Sequence, residues 1–203
     1  MISLSDNTAA DHLIALVGRS AVQTQVEQWS SHSELDIPFL TTRELFVLKY
    51  VDCPVLADHY LGLDTSQKAA YLSDSVDQVP LTRVQASNEP RDLDTIEWLA
   101  STTNVCRAFA GLSALSEEPG LGPIGTIMSV NDGGLQLNST IWPTVWFKGG
   151  SEPGVLALGY FGKDSRGRSF VVTALAENRG APIDVAATLE LQNLVRAAFV
   201  FMQ

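Results

Sequence analysis

The spacing of apolar residues predicts a run of short helices over the first 75 positions. One helical face, with apolar residues at i, i+3, i+4 and i+7, is formed by Ala10, Leu13, Ile14, Val17 and Ala21. A helix therefore begins just after Asn7, and Gly18 ends or kinks it. A second stretch carries Val22, Val26 and Trp29. Residues 30–40 are rich in turn formers and predict a loop, and further helices are expected from Thr41 to about Val51, over 54–62 and over 65–75.

The second half of the chain changes from a helical period to strands. Apolar spacing predicts a helix over 91–115, and the Pro- and Gly-rich segment 117–123 breaks the pattern. Three strand-like runs follow, over Thr144–Phe147, Val155–Phe161 and Ser169–Ala176. The turn formers of 162–168 join the last two runs into a hairpin. Because these runs are apolar on both faces, the sheet is expected to be covered on both sides.

A final helix completes the predicted fold. Its apolar stripe is formed by Ala187, Leu191, Leu194, Val195, Ala198 and Met202. The predicted fold class is α/β in the α+β sense, as one domain over 1–203. Residues 1–140 form a mainly helical half, and residues 141–203 form a three-stranded antiparallel sheet with the C-terminal helix on it.

Composition and charge narrow the classes of function. The 203 residues are 45% hydrophobic and 18% charged, which is typical of a globular domain, and the net charge is −10. A nucleic-acid partner is not expected, because this negative charge would repel phosphates. No apolar run is long enough to span a bilayer, and the first residues do not resemble a signal peptide. The two cysteines and three scattered histidines predict neither a disulfide framework nor a metal or cofactor site.

Two short motifs could carry chemistry. Ser5-Asp6-Asn7 stands at the start of an amphipathic helix, and Lys148-Gly149-Gly150 follows a predicted strand. Taken singly, the first is typical of a helix N-cap, and the second of a glycine turn with a solvated lysine. Together they could place a hydroxyl, an amide and a cation where the backbone closely approaches a ligand.

In this order and spacing the two motifs resemble those of the penicillin-recognising serine hydrolases, especially class A β-lactamases. Ser5-Asp6-Asn7-Thr8-Ala9 is similar to the family's Ser-Asp-Asn motif and the helix after it, and Lys148-Gly149-Gly150 to its Lys-Thr/Ser-Gly motif. The segment starting at Thr41 and a helix containing Glu97-Trp98-Leu99-Ala100 also resemble this group. The resemblance covers essentially the whole chain.

The resemblance implies acyl transfer through a serine. Ser5 would pass a proton to the leaving nitrogen, and Lys148 would supply positive potential beside Ser5 and a substrate carboxylate. Asn7 would hold the substrate amide, Gly150 would belong to the substrate-binding residues, and the N–H of Ser151 would form half of an oxyanion hole. The implied substrate is a β-lactam or a related amide or ester, and the implied family is usually exported or periplasmic. No cofactor or metal is implied.

Three departures from the family pattern qualify this interpretation. The chain has no Ser-x-x-Lys motif, and Thr65-Ser66-Gln67-Lys68, the nearest imitation, is expected to be a helix N-terminus. Glu34 is the sole candidate for activating a deacylating water, and a solvated loop carboxylate is the simpler interpretation. Gly149 replaces a hydroxyl residue that helps bind a substrate carboxylate.

These departures leave two functions open. The first is the C-terminal portion of a serine hydrolase that lacks its nucleophile and is inactive alone. The second is a non-catalytic module with a penicillin-binding fold, or a structural or interaction domain. In the resembled fold an N-terminal strand pairs with the strand Ser169–Ala176, so we expect an open sheet edge here and self-association through it.

Overall fold

The computed structural model describes residues 1–203, which form eight α-helices and one three-stranded antiparallel sheet. In chain order the helices are α1 (Asn7–Val17), α2 (Arg19–Trp29), α3 (Thr42–Tyr50), α4 (Val55–Leu61), α5 (Thr65–Asp74), α6 (Thr102–Ser116), α7 (Pro123–Met128) and α8 (Val185–Phe201). The strands are β1 (Thr144–Glu152), β2 (Val155–Lys163) and β3 (Ser169–Glu177). The predicted mixed fold of helices, an antiparallel sheet and a C-terminal helix is confirmed. No helix is both long and apolar enough to cross a membrane.

The chain divides into two compact units. Unit 1 contains the first six residues together with 101–203, and unit 2 is the continuous segment Asn7–Ala100. Unit 1 is therefore built from two separate segments of the chain, whereas unit 2 is built from one continuous segment.

Unit 2 is an assembly of helices around α3. The buried face of α3 carries Leu45, Val47 and Leu48, which pack with Tyr60 and Leu72 of α4 and α5. The first turn of α3 is stabilised by a capping box, in which Thr41 accepts the N–H of Glu44 and Glu44 accepts the N–H of Thr41.

The predicted helix over 91–115 is wrong in its first half. The helix begins at Thr102, where the hydroxyl of Ser101 caps it by accepting the N–H of Asn104. The preceding residues form turns, so the expected Glu97–Ala100 helix is also wrong. Leu93 and Ile96 are buried at helical spacing, but the segment does not form a helix. Its backbone is bonded to a distant residue instead, since the N–H of Leu99 donates to the carboxylate of Asp36.

Unit 1 has three layers, with helices on both faces of the sheet. The strand order is β1-β2-β3, with both pairings antiparallel. Residues Leu156, Leu158 and Tyr160 of β2 pack with Val195 and Phe199 of α8. On the opposite face a Cβ at Gly159 would lie 2.6 Å from Phe109, so α6 packs directly against β2 there. The expectation of a sheet covered on both sides is confirmed.

The buried stripe of α8 agrees with the predicted one at Val195, which is buried, and at Leu191 and Met202, which pack against the same cluster. It differs at Leu194, which is 66% exposed, and at Phe199, which is buried although the predicted stripe omits it. The error has a geometric cause: α8 is apolar on almost every side, so the spacing alone does not decide which flank is buried.

Candidate functional site

The first residues of the chain form a short turn packed onto unit 1. Residues Ile2–Leu4 form one turn of 3-10 helix, and Ile2 packs against the cluster that contains Phe109 and Trp146. The side-chain amide of Asn131 donates to the carbonyl of Ser3 at 2.9 Å. These contacts hold the turn that places Ser5.

Ser5 ends this turn with a left-handed backbone conformation, at φ 52° and ψ 44°. Its N–H donates to the carbonyl of Ile2, and the N–H of Asp6 donates to the carbonyl of Met1. Such a conformation is uncommon for residues other than glycine, and it is often found at functional sites. The reversal lets the hydroxyl of Ser5 meet the side chain of Lys148.

Lys148 lies inside β1, opposite Gly159 of β2, and its Nζ donates to the Oγ of Ser5 at 2.9 Å. The Nζ also donates to the carbonyl of Gly149. Lys148 is partly buried, and this desolvation lowers its pKa from the ordinary value of 10.5. The structure therefore brings together the two residues predicted to be catalytic.

The Lys-Gly-Gly segment is not a turn. Lys148, Gly149 and Gly150 continue β1 and pair with Gly159, Leu158 and Ala157, and the chain turns later, at Pro153 and Gly154. Residue 149 is a glycine for a steric reason. A Cβ there would lie 2.6 Å from the ring of Phe147 and 3.0 Å from the carbonyl of Ala157. The hydroxyl residue expected from the resemblance does not fit in this place without movement of that ring.

Gly150 and Ser151 continue the same strand beyond Lys148. A Cβ at Gly150 would meet nothing within 4 Å, and both residues are exposed. Side chains two residues apart in a strand share a face, so Gly150 leaves open surface beside Lys148. Ser151 lies opposite Leu156 in the register.

Asn7 belongs to unit 2, where it begins α1 and is exposed. It lines a cleft of about 500 Å³ together with Asp11, His12, Arg43 and Phe46. Asp11 accepts the N–H groups of Thr42 and Arg43, at 2.7 and 2.9 Å, and so caps α3. Two of the five predicted site residues, Ser5 and Lys148, are thus in contact, Gly150 and Ser151 share their unit, and Asn7 is assigned to the other.

The weaker candidates have structural roles. Thr65–Lys68 opens α5 under a capping box from Asp64 and Gln67, as expected, and the Nζ of Lys68 lies 4.9 Å from the ring centroid of Tyr60. Glu34 lies in a 3-10 turn with its side chain 68% exposed, which agrees with the solvated interpretation. Trp142 and Trp146 are core residues, and neither of the two cysteines forms a disulfide.

Sequence reasoning missed Asp36. This carboxyl is buried, accepts the N–H of Leu99 at 2.7 Å, and lines a cavity of about 220 Å³ with Tyr60 and Trp98. Burial raises its pKa from 3.8 to about 6, and the nearby charges of Glu34 and Glu97 act in the same direction. In the sequence Asp36 is one polar residue of a loop, and no local pattern marks it as buried.

Compared with known proteins, the chain matches no protein-family model and no curated sequence. The features that bear on function are therefore the motifs, their order along the chain and the contact between Ser5 and Lys148.

Proposed function

We propose that this chain has a β-lactamase-like fold and contributes to a serine hydrolase that acts on β-lactams or related amides and esters through an acyl-enzyme. The observation that carries the proposal is the hydrogen bond from Lys148 to Ser5. The motifs of the family would require this contact, and a helix cap beside a solvated lysine would not.

In the proposed reaction Ser5 and Lys148 move a proton. The hydroxyl of Ser5 donates its proton to the leaving nitrogen, while its Oγ accepts a replacement proton from the Nζ of Lys148. A lowered lysine pKa favours this transfer, because the ammonium is a stronger acid than one in water. General-acid assistance of this kind typically contributes about 10²- to 10⁴-fold in rate.

The rest of the proposed site would bind the substrate. The charge of Lys148 would attract a substrate carboxylate over the open surface beside Gly150. The N–H of Ser151 would face the developing oxyanion. These steps need no metal. An amide or ester carbonyl reacts with a serine when a base takes the serine proton and hydrogen-bond donors stabilise the oxyanion.

The nucleophile is the part that these 203 residues do not contain. No serine in the chain is followed three positions later by lysine. A Ser-x-x-Lys segment outside these residues would have to complete the site. The same observation favours a second candidate, in which the fold binds penicillin-like carboxylates without acylation.

The first test measures binding without chemistry. Benzylpenicillin is titrated into the ¹⁵N-labelled chain, and the shifts of amides in β1 are followed by NMR. We expect weak, saturable binding that Lys148→Ala abolishes. Lys163→Ala is the matched control, because Lys163 lies on β2 and pairs with the exposed Glu117. Absence of binding, or binding that Lys148→Ala leaves unchanged, would reject the assignment of Lys148.

The second test separates the two candidates. After incubation with benzylpenicillin, the intact mass of the chain should be unchanged, because the nucleophile is missing. Adding the segment encoded upstream, if it carries Ser-x-x-Lys, should produce a stoichiometric mass increase on that serine. Binding without such an increase in the longer protein would favour the non-catalytic module. A mass increase on a serine of the 203-residue chain would show that the nucleophile is misassigned.

A further inference from the structure

We propose that Asn131 is a positioning residue, which holds the first turn of the chain so that the hydroxyl of Ser5 meets Lys148. The proposal rests on the proposed function, because Ser5 and Lys148 are the two residues that would move the proton there. The side-chain amide of Asn131 donates to the carbonyl of Ser3 at 2.9 Å, two residues before Ser5. The two bonded residues are 128 positions apart, so the bond joins distant segments rather than closing a local turn.

The orientation of the Asn131 amide is fixed by a second bond. Its Oδ1 accepts the N–H of Gly133 at 2.8 Å. A backbone N–H bonds to the oxygen of an amide and not to its nitrogen, so the NH2 group is left to point towards Ser3. The bond to Gly133 is the turn that asparagine commonly forms with the residue two positions later. It needs only an acceptor at position 131, whereas the bond to Ser3 needs a donor.

The loop that carries Asn131 is anchored on the sheet and on α8. It comprises residues 131–136 and is called here the Asn131 loop. The carbonyl of Gly133 accepts the hydroxyl of Tyr160 at 3.3 Å and the side-chain amide of Gln192 at 3.4 Å. Because Tyr160 lies on β2 and Gln192 lies on α8, the loop is held by two separate elements of unit 1.

The Asn131 loop also packs beside the residue that precedes Lys148. A Cβ at Gly133 would lie 2.6 Å from the ring of Phe147 and 2.6 Å from the hydroxyl of Tyr160, so only a glycine lets the loop lie this close to both. Phe147 directly precedes Lys148 on β1, and its ring packs on Tyr160 with the ring centroids 4.8 Å apart. One loop therefore contacts the strand that carries Lys148 and the turn that carries Ser5, which is the arrangement needed to set the distance between them.

The backbone conformation of Ser5 makes such support necessary. Its φ of 52° and ψ of 44° are left-handed, a conformation that persists in a residue other than glycine where the surrounding structure enforces it. Ile2 fixes the place of the turn through apolar packing, which has no preferred direction. The bond from Asn131 to Ser3 adds a directional constraint. This constraint matters because the hydrogen bond between Lys148 and Ser5 is lost when its two groups move apart by about 1 Å.

The test measures the coupling between Ser5 and Lys148 in two variants of Asn131. Asn131→Asp keeps the shape of the side chain and the acceptor for Gly133, but it presents an oxygen to the carbonyl of Ser3. Asn131→Ser is uncharged and can still accept the N–H of Gly133, but its side chain is one bond too short for Ser3. The pKa of Lys148 is followed by ¹³C NMR in each background, with and without Ser5→Ala. The coupling is the change in that pKa caused by Ser5→Ala.

In the wild type Ser5→Ala should lower the pKa of Lys148, because the ammonium loses its acceptor. We expect most of this shift to be lost in both Asn131 variants, because the hydroxyl has already moved away. The charge added by Asn131→Asp cancels, since both members of the comparison carry it. Asn138→Asp and Asn138→Ser are the matched controls and should keep the full shift, because the exposed Asn138 forms the same turn with Thr140 at 2.9 Å. Circular dichroism confirms that each variant is folded, and either Asn131 variant alone decides the test.

Three outcomes would overturn the role of Asn131. These are a shift in its variants as large as in the wild type, an equal loss of the shift in the Asn138 controls, and no shift in the wild type. The measurement uses no ligand, so it is separate from the test of the proposed function. Failure of benzylpenicillin to bind would reject that function, whereas an unchanged shift would reject only the role of Asn131.

Discussion

The Nζ of Lys148 lies 2.9 Å from the Oγ of Ser5, although the two residues are 143 positions apart in the sequence. One residue belongs to a strand and the other to a left-handed turn at the start of the chain. Neither element alone would distinguish a functional residue from a structural one. Their contact is the main reason for proposing acyl-transfer chemistry.

The first prediction concerns the ionisation of Lys148. We expect the pKa of Lys148, followed by ¹³C NMR after reductive methylation, to lie below the ordinary value of 10.5, because burial disfavours the charged form. Ser5→Ala should lower the pKa of Lys148 further, because the ammonium then loses a hydrogen-bond acceptor. A midpoint for Lys148 at or above its ordinary value would contradict this prediction.

The second prediction concerns the glycine pair of β1. Gly149→Thr restores the residue of the resembled motif, yet it should destabilise the fold by about 1–3 kcal/mol, because its Cβ overlaps the ring of Phe147. Gly150→Thr should leave the free energy of unfolding nearly unchanged, since the space there is open, while weakening binding of benzylpenicillin. Urea unfolding of both variants measures the first effect. Similar losses of stability in both would show that the ring of Phe147 adapts.

The third prediction concerns pH. Asp36 has a pKa of about 6 when folded and an ordinary value of 3.8. Between about pH 4 and pH 6 the folded state keeps a proton that the unfolded state has lost, so the free energy of unfolding should fall as pH rises. Above pH 6 this cost is constant.

The matching variant is Asp36→Asn, which retains an oxygen for the N–H of Leu99 and removes the charge. It should raise stability at pH 7 by an amount on the order of 1 kcal/mol and flatten the dependence between pH 4 and pH 6. Urea unfolding at several pH values measures both effects. If the free energy of unfolding of Asp36→Asn depends on pH in that interval as steeply as that of the wild type, the pH dependence belongs to another group.

The fourth prediction concerns the ion pair of Arg19 and Glu44. Their side chains bond twice, at 2.9 and 2.5 Å, and the carboxylate of Glu44 is fully buried. Arg19→Met leaves that charge without its cation and should cost about 3 kcal/mol or more. Arg83→Met breaks an exposed pair with Asp52 and should cost less than about 1 kcal/mol. Thermal unfolding of the two variants gives the comparison.

The elements of the fold could be predicted where local signals agree. Gly18, Thr41 and Asp64 mark helix boundaries through their own conformation or side-chain bonds, and the structure places boundaries there. The hairpin of β2 and β3 was predictable from alternating signals of strand and turn. The segment 91–100 was not, because its apolar residues have helical spacing while its backbone bonds to Asp36, which is distant in the sequence.

The candidate site shows the same limit. The types of residue at Ser5 and Lys148 are visible in the sequence, but the left-handed turn that joins them is not, since serine has no preference for it. The steric need for Gly149 depends on the orientation of Phe147, which stacks on Tyr160 of the next strand. Contacts across strands and between distant segments carry this information.

The division of unit 1 into two pieces of chain has a consequence for synthesis on the ribosome. Unit 2 is continuous and can fold once residue 100 has emerged, whereas Met1–Asp6 must wait for their partners in 101–203. At about 5–20 residues per second this wait lasts several seconds or more. Ser5 therefore reaches Lys148 late, after the residues of unit 2 have all been made.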